Sequence, residues 1–296
     1  MSSLLKFEIG KQYSPDDEFR KMARLHQSKF RQSVLQVDFD EYGNVLKESD
    51  AKKLLNYYDL LDVQMHLKRR YPKYSSMRDA NLLRSEHIPF NMFAPLINRK
   101  EIAKLLMENA FNININQILK IEIEYAPEPK ELYLNDGTSF DVYVEYSDEF
   151  NNTNGLGIEV KYTEHEYKIG ERELATVKDS NSIYWNITRT SCHYIENTLD
   201  QLASDKMRQI WRNHMLGLAM INRKDIAKFH SITIYPSGNT HFVKAMNNYC
   251  GLLRDEYKHT AFGCTFEKFI DSITGDKEIM DWKKYLNKRY IIETKT

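Results

Sequence analysis

The sequence predicts an α/β protein with a mixed central sheet that is flanked by helices and preceded by a helical N-terminal extension. Two observations lead to this prediction. Three short segments with strand-like alternation follow one another between residues 121 and 163, separated by turn-forming residues, which is typical of an antiparallel three-strand meander. Segments with helical periodicity precede and follow the meander, and a further strand-like segment, SITIYP at 231–236, comes after it.

The N-terminal part of the chain is predicted to be mostly helical. Ser14 and Pro15, followed by acidic residues, mark the start of a first helix. The predicted elements are helices over 14–33, 48–70, 77–85 and 98–110, a hairpin over 34–46, and an irregular segment, IPFNMFAPL, whose two prolines disfavour a helix. We place the end of the N-terminal extension at residue 75, so that residues 1–75 precede a core of residues 76–296.

The meander and the elements after it follow from local patterns. IEIEYA alternates cleanly, Asn135-Asp136-Gly137 is a turn signal, and the polar stretch DEFNNTNG separates the second strand from the third. The predicted strands are 121–126, 138–146, 156–163 and 231–236, and the predicted helices are 194–220, 240–256 and 276–290.

Composition favours a globular protein of the cytoplasm. Three cysteines are too few for a disulfide framework, and the sequence contains neither a secretory signal nor an apolar run long enough to cross a membrane. The 42 basic and 42 acidic residues cancel, but they are unevenly distributed. Residues 121–173 hold fourteen acids against four bases, whereas 62–104 hold nine bases against four acids and 201–230 six against two. This pattern fits carboxylates that collect a cation between segments that hold phosphates, although chance patchiness on solvated faces is an alternative.

Acidic and basic side chains converge on two neighbouring strands of the meander. Glu159 and Lys161 lie two residues apart in GIEVKYTE, so they share one face of a strand. Asp141 lies in the preceding strand, TSFDVYVEY, and pairing around the intervening turn brings it close to Glu159. Two carboxylates with the backbone carbonyl of Val160 form a hard-oxygen site suited to Mg²⁺. Lys161 can then orient or activate an attacking water and offset phosphate charge.

This pattern resembles the PD-(D/E)XK, or restriction-endonuclease-like, nuclease superfamily. The resemblance rests on Asp141 and on Glu159-Val160-Lys161, in consecutive strands of a helix, meander, helix and strand order. GTSFDVYVEY, GLGIEVKYTE, SEHIPFNMFAPL and RQIWRNHMLGLA look together like one bacterial, restriction or defence-type branch of it, over roughly residues 78–236. Phe140 stands where the superfamily name has proline.

The resemblance implies a restriction-endonuclease-like core and a Mg²⁺-dependent endodeoxyribonuclease that accepts Mn²⁺ as a substitute. It implies Glu86 as a third metal ligand, Gln209 as a residue that orients the site, and Arg212 as a contact to the nucleic acid. It further implies DNA as the substrate, with RNA not excluded, and a restriction or anti-phage role in which a second copy or a partner ATPase or defence subunit takes part. Against these roles, Glu86 can be a solvated helix-end acid and Gln209 with Arg212 a solvated pair one turn apart. Asn213 and His214 are weaker candidates on the same helix.

Two other classes of protein compete with a nuclease. One is a catalytically inactive nucleic-acid-binding or assembly subunit of the same fold, which the presence of Asp141, Glu159 and Lys161 disfavours. The other is an unrelated α/β protein in which Glu159 and Lys161 are a structural ion pair. Phosphate-loop glycine patterns and the G-x-S-x-G motif of serine hydrolases are absent from the sequence.

Overall fold

The computed structural model describes residues 7–164 and 171–292 of the chain. The strands are β1 (Gln117–Tyr125), β2 (Phe140–Ser147), β3 (Thr153–Val160), β4 (Phe229–Tyr235) and β5 (Ala261–Thr265). The α-helices are α1 (Glu18–Phe30), α2 (Glu48–Lys52), α3 (Val63–Arg70), α4 (Ile88–Ile97), α5 (Lys100–Phe111), α6 (Glu171–Lys178), α7 (Ile183–Thr190), α8 (Leu199–Leu202), α9 (Arg208–Asn222), α10 (Thr240–Cys250), α11 (Phe266–Asp271) and α12 (Lys277–Tyr290).

The five strands form one mixed sheet in sequence order. β1, β2 and β3 pair antiparallel as a meander, β4 joins β3 in parallel, and β5 joins β4 in parallel. The parallel step is possible because α7, α8 and α9 carry the chain back to the start of β4, as a parallel connection requires. The predicted fold class, a mixed sheet with an antiparallel meander and flanking helices, is therefore confirmed. β5 was not expected from the sequence.

Each face of the sheet packs against its own group of helices. Alternation along the strands sends Val142, Ile158 and Ile232 to a core shared with α4, α5 and α12. The opposite face packs Tyr143 and Phe229 against α9 and α10. The side chains of Asp141 and Glu159 belong to the second face by the same alternation. The candidate site therefore lies under α9.

The N-terminal residues share the core of the sheet. Ala23, Tyr57 and Leu67 belong to the same buried cluster as the strand residues on the α4 face. Gln27 of α1 donates hydrogen bonds to the hydroxyl of Tyr162, just after β3, and to the carbonyl of Arg289 in α12, each at 2.7 Å. The extension boundary at residue 75 remains a prediction, and these contacts cross it.

α4 occupies the segment that we expected to be irregular. Pro89 lies in the first turn, where proline is tolerated because that N–H has no intrahelical partner. Pro95 lies inside the helix and cannot donate to the carbonyl of Asn91, four residues earlier. The indole nitrogen of Trp282 donates to that carbonyl at 2.8 Å instead. A distant residue thus satisfies the group that proline leaves without a donor.

Other predicted elements are shorter than expected. The predicted helix 48–70 is interrupted between α2 and α3, where Leu54, Leu61 and Asp62 have positive φ. Within 194–220 the helix is broken between α8 and α9, where the Ser204 hydroxyl bonds to the Gln201 carbonyl and competes with the helix backbone. The predicted helix 77–85 is a π-helical turn over Ser76–Ala80, and the hairpin over 34–46 is reduced to one bridge between Phe39 and Leu46.

No helix in the described part of the chain is long and apolar enough to cross a membrane. The three cysteines are free thiols.

Candidate active site

The antiparallel ladder between β2 and β3 sets Asp141 opposite Glu159. Val142 pairs with Ile158, and the next opposed positions along this ladder are Asp141 and Glu159. The backbone N–H of Val160 donates to Asp141 Oδ2 at 2.7 Å, which ties the aspartate to the neighbouring strand. The two carboxylates therefore lie on one face at one end of the strand pair, in the arrangement that the sequence predicts.

Three side chains hold the carboxylate of Glu159. Lys161 Nζ lies 2.6 Å from Oε1, Gln209 Nε2 donates to Oε1 at 2.6 Å, and Asn213 Nδ2 donates to Oε2 at 2.6 Å. Only 6% of Glu159 and 3% of Lys161 is exposed. A buried charge is tolerated when it is paired and hydrogen-bonded. Lys161 provides the opposite charge for Glu159, and Gln209 and Asn213 provide the hydrogen bonds.

Close packing of α9 on the sheet brings the two amides to Glu159. Gln209 and Asn213 are one turn apart and share a helix face. Two turns after Gln209 the helix has Gly217, where a Cβ atom would overlap the ring of Phe229 in β4. Gly217 thus lets the helix backbone lie directly on the sheet.

The pKa of Asp141 reflects its crowded surroundings. Burial raises the pKa of its carboxyl well above the usual range, the charge of Glu159 raises it further, and Lys161 and the Val160 N–H act in the opposite direction. Like charges on adjacent strands repel unless a cation lies between them. The pair is therefore electrostatically suited to hold a cation.

Glu124 is a neighbouring acid that the sequence did not suggest. Ile123 of β1 pairs with Val142 of β2, and Tyr125 pairs with Phe140. Glu124 is therefore the residue of β1 opposite Asp141. Its backbone has φ of 59°, a conformation that non-glycine residues adopt at a cost of about 1–3 kcal/mol and often at functional sites. Burial raises the pKa of its carboxyl, and the charge of Glu159 raises it further. The alternation of apolar and acidic residues in IEIEYA does not reveal the positive φ at Glu124. The sequence therefore could not distinguish Glu124 from an ordinary exposed acid.

Glu86 lies close enough to Lys161 to be affected by its charge, and it is paired with a different base. Its carboxylate forms an ion pair with Arg84. Burial alone would raise its pKa, but the hydrogen bonds and charge of Arg84, with a smaller contribution from Lys161, lower it below the ordinary value. The charge of Lys161 therefore acts on Glu86. Among the described residues, no hydrogen bond joins Glu86 to Asp141 or Glu159.

Glu164 connects the Glu86 loop to the motif strand. Its Oε1 accepts from the Ser85 backbone N–H at 3.1 Å and its Oε2 accepts from the Tyr162 backbone N–H at 2.8 Å. The carboxylate therefore fixes the distance between the residue before Glu86 and the residue after Lys161.

Arg212 and His214 lie on other faces of α9. The guanidinium of Arg212 donates to Thr138 Oγ1 at 2.8 Å and pairs with Asp136 at 3.2 Å, which places it over the start of β2 with 22% of its side chain exposed. His214 is buried against the Tyr249 hydroxyl and Thr260. Of the weaker candidates on this helix, Asn213 joins the site and His214 does not. The four-residue spacing from Gln209 is the signal that could have separated them.

The donor atoms suit a hard divalent cation. Asp141, Glu159 and the Val160 carbonyl supply oxygen only, as Mg²⁺ and Mn²⁺ prefer. Within residues 7–164 and 171–292, no three His, Cys, Asp or Glu side chains form a ready group for a metal ion. In the described structure, Glu86 is paired with Arg84 and Glu159 with Lys161.

The fold and the site together define an α/β protein whose mixed sheet carries two opposed carboxylates and a lysine under one helix. The model of the PD-(D/E)XK nuclease superfamily matches residues 14–292, and the chain belongs to this superfamily. The match extends on both sides of the 78–236 region in which the sequence motifs lie. Searches among curated proteins and among solved structures found no match.

Proposed function

We propose that this protein is a Mg²⁺-dependent nuclease, with Mn²⁺ as a substitute, that hydrolyses phosphodiester bonds in DNA. The observation that carries the proposal is the convergence of Asp141, Glu159 and Lys161 on one buried face, with Gln209 and Asn213 fixing the carboxylate of Glu159. Structural ion pairs on sheets do not need a second, repelled carboxylate on the adjacent strand.

The metal role rests on the oxygen donors of the pair. Asp141, Glu159 and the Val160 carbonyl would hold the ion, and Glu86 would join them if Arg84 released it. A bound divalent ion supplies charge for the phosphate oxygens and lowers the pKa of water. The pKa of Asp141 is raised first by burial and then by the charge of Glu159, and a bound cation would offset both effects, which supports this assignment.

The side chains of the chain have separable tasks in this proposal. Lys161 moves its ammonium from Glu159 to a non-bridging phosphate oxygen and stabilises charge that develops there. Gln209 and Asn213 keep the carboxylate of Glu159 in one orientation, so no rotamer search precedes the reaction. Arg212 is assigned to a phosphate near the start of β2, since part of its side chain is exposed.

The biological setting is proposed from the superfamily alone. A restriction or anti-phage role, a cytoplasmic location, and a second copy or partner ATPase or defence subunit fit the branch that the motifs resemble.

A substrate and metal panel tests the proposal. Purified protein would be incubated with plasmid, linear duplex, single-stranded DNA and RNA in Mg²⁺, Mn²⁺, Ca²⁺ or EDTA, with Asp141→Asn as the inactive control. We expect cleavage of DNA in Mg²⁺ and Mn²⁺, binding with little cleavage in Ca²⁺, and no cleavage in EDTA. Nicking or linearisation of the plasmid would mark an endonuclease.

The same panel separates the alternatives. Full activity in EDTA would contradict the metal assignment. Cleavage of RNA but not DNA would change the substrate. Tight binding without cleavage in every metal would favour an inactive nucleic-acid-binding subunit.

A further inference from the structure

Four exposed cations follow one another at the end of α3. Lys68, Arg69 and Arg70 form its last turn, Lys73 follows, and all four side chains are exposed. We call Lys68, Arg69, Arg70 and Lys73 the basic strip. It lies within residues 1–75, outside the motifs of the candidate site, and it contributes four of the nine bases that the sequence concentrates in 62–104.

Most of the charge of the basic strip is not balanced by an ion pair within the described part of the chain. None of its four side chains forms an ion pair with another residue of the described part of the chain. Some exposed lysines elsewhere do, since Lys52 pairs with Glu48 and Lys284 with Asp281, at 2.6 and 2.8 Å. Cations in the last turn of a helix stabilise the helix through its dipole. That effect accounts for Lys68, Arg69 and Arg70, and it does not account for Lys73 beyond the helix.

The basic strip adjoins the candidate site through β1. The guanidinium of Arg70 donates to the backbone carbonyl of Glu124 at 3.3 Å, and its charge lowers the pKa of the Glu124 carboxyl against the effects of burial and of Glu159. Glu124 lies across from Asp141, one strand spacing of about 5 Å away. Tyr71 anchors the turn, since Arg70 and Arg78 lie over its ring at 5.1 and 4.3 Å.

We infer that the basic strip binds the sugar-phosphate backbone of the nucleic acid next to the bond that is cut. This inference rests on the proposed function and extends it, because it assigns a substrate-binding surface to the N-terminal part of the chain. Exposed cations at the border of an acidic site hold the flanking phosphates, which the carboxylates alone would repel. Phosphate contacts of this kind position the substrate and do not read its sequence.

The test compares two triple variants with the same loss of charge. Lys68→Gln/Arg69→Gln/Lys73→Gln removes three cations of the basic strip and keeps Arg70, which touches Glu124. The control, Arg223→Gln/Lys224→Gln/Lys228→Gln, also removes one Arg and two Lys, all exposed. Its residues precede β4, at the end of the sheet where Gly155 of β3 bonds to Lys228, away from Glu159.

Binding of fluorescein-labelled duplex and single-stranded DNA would be measured in Ca²⁺ by anisotropy over a salt series. Three lost contacts should reduce the slope of log K against log salt by about 2–3 for duplex and about 2 for single strands. We expect affinity to fall at least about tenfold, with the single-turnover rate at saturating DNA within about threefold of wild type. The control should keep the wild-type slope, and Lys68→Arg/Arg69→Lys/Lys73→Arg should retain binding. Thermal melts of all variants check that they fold.

The inference would be overturned if the strip variant and the control lost DNA affinity equally, or if neither lost any. The proposed function would still stand in that case, provided that the wild type cleaves DNA. A wild type that neither binds nor cleaves any polynucleotide would overturn both.

Discussion

Lys161 and Asn213 show how far single residues of the site can be predicted. A two-residue spacing on a strand is a direct geometric statement, so the pairing of Lys161 with Glu159 follows from the sequence. Asn213 reaches Glu159 only because α9 is pressed onto the sheet, and that contact depends on tertiary packing. The positive φ of Glu124 is likewise absent from any local pattern. Residue types at fixed spacing are predictable, and neighbours brought by packing are not.

Replacement of Lys161 tests whether it acts in catalysis. Lys161→Ala should lower the single-turnover rate by at least about 100-fold, because general acid–base and electrostatic groups contribute about 10²–10⁴-fold. DNA affinity in Ca²⁺ should change by less than about tenfold. Lys120→Ala is the matched control, since Lys120 forms the same two-residue pair with Glu122 at 2.6 Å on β1, where both are exposed. A Lys161→Ala variant that cleaves at the wild-type rate would reduce Glu159 and Lys161 to a structural pair.

Replacement of Asp141 tests the electrostatic strain of the pair. The pKa of Asp141 in the folded chain is raised above the ordinary value of 3.8, so the folded chain binds its proton more tightly than the unfolded chain. The stability contributed by Asp141 therefore falls as pH rises through that raised pKa. In EDTA, Asp141→Asn removes the cost of burying the carboxylate and its repulsion with Glu159, so it should raise Tm at pH 7.5, by about 2–4 °C for each kcal/mol relieved, and change it little near pH 4.

Calorimetric or fluorescence melts at both pH values provide the measurement, with the exposed Asp271→Asn as a control. The same Asp141→Asn variant should have lost cleavage. A lower Tm at pH 7.5 would mean that the Asp141 carboxylate stabilises the metal-free fold, contrary to the repulsion described above.

Helix α9 is the element on which the geometry of the site depends. Its apolar periodicity predicted a helix, and its position over β3 and β4 is set by the contact of Gly217 with Phe229. In α4, the prolines of the sequence disfavour a helix, but the helix forms. Trp282, from far along the chain, donates to the carbonyl that Pro95 leaves without a donor. Helix start and stop signals are local, whereas the groups that repair a disrupted helix can lie anywhere.

Gly217→Ala should move α9 away from the sheet. In an ordinary helix this change stabilises by about 1 kcal/mol, but here the added methyl group overlaps the Phe229 ring, and overpacking costs about 1–3 kcal/mol or more. We expect a net loss of stability in urea titrations and a lower cleavage rate, because Gln209 and Asn213 move away from Glu159. Gly137→Ala, where a Cβ would meet nothing within 4 Å, is the control. Unchanged or higher stability for Gly217→Ala would show that the packing is loose.

At the scale of the whole molecule, the antiparallel meander could be predicted from the sequence. The packing of the N-terminal helices into the core of the sheet could not. Turn signals between alternating segments define which strands are neighbours. The sequence could not indicate β5, a strand of five residues, or that α1 and α3 contribute to the core beneath the sheet, because apolar periodicity shows that a face is buried and not what covers it.

Removal of residues 1–75 tests how the N-terminal part supports the remainder. The truncation would expose the surface that Ala23, Tyr57 and Leu67 cover and would remove the Gln27 bonds to Tyr162 and Arg289. We expect the fragment 76–296 to lack a cooperative thermal transition and to bind a hydrophobic dye. Cooperative unfolding of this fragment, with a Tm within a few degrees of the full chain, would show that it is an independent domain.

The ion pair between Lys161 and Glu159 gives the site a resident counter-ion that is part of the polypeptide. The charge of this acid is therefore balanced within the chain itself. In the proposed nuclease, a divalent ion would have to displace this ammonium from Glu159, so the measured metal affinity would be the constant of an exchange. The ammonium that this exchange would release is the group proposed to contact the phosphate, so metal binding would also free Lys161 for its proposed role.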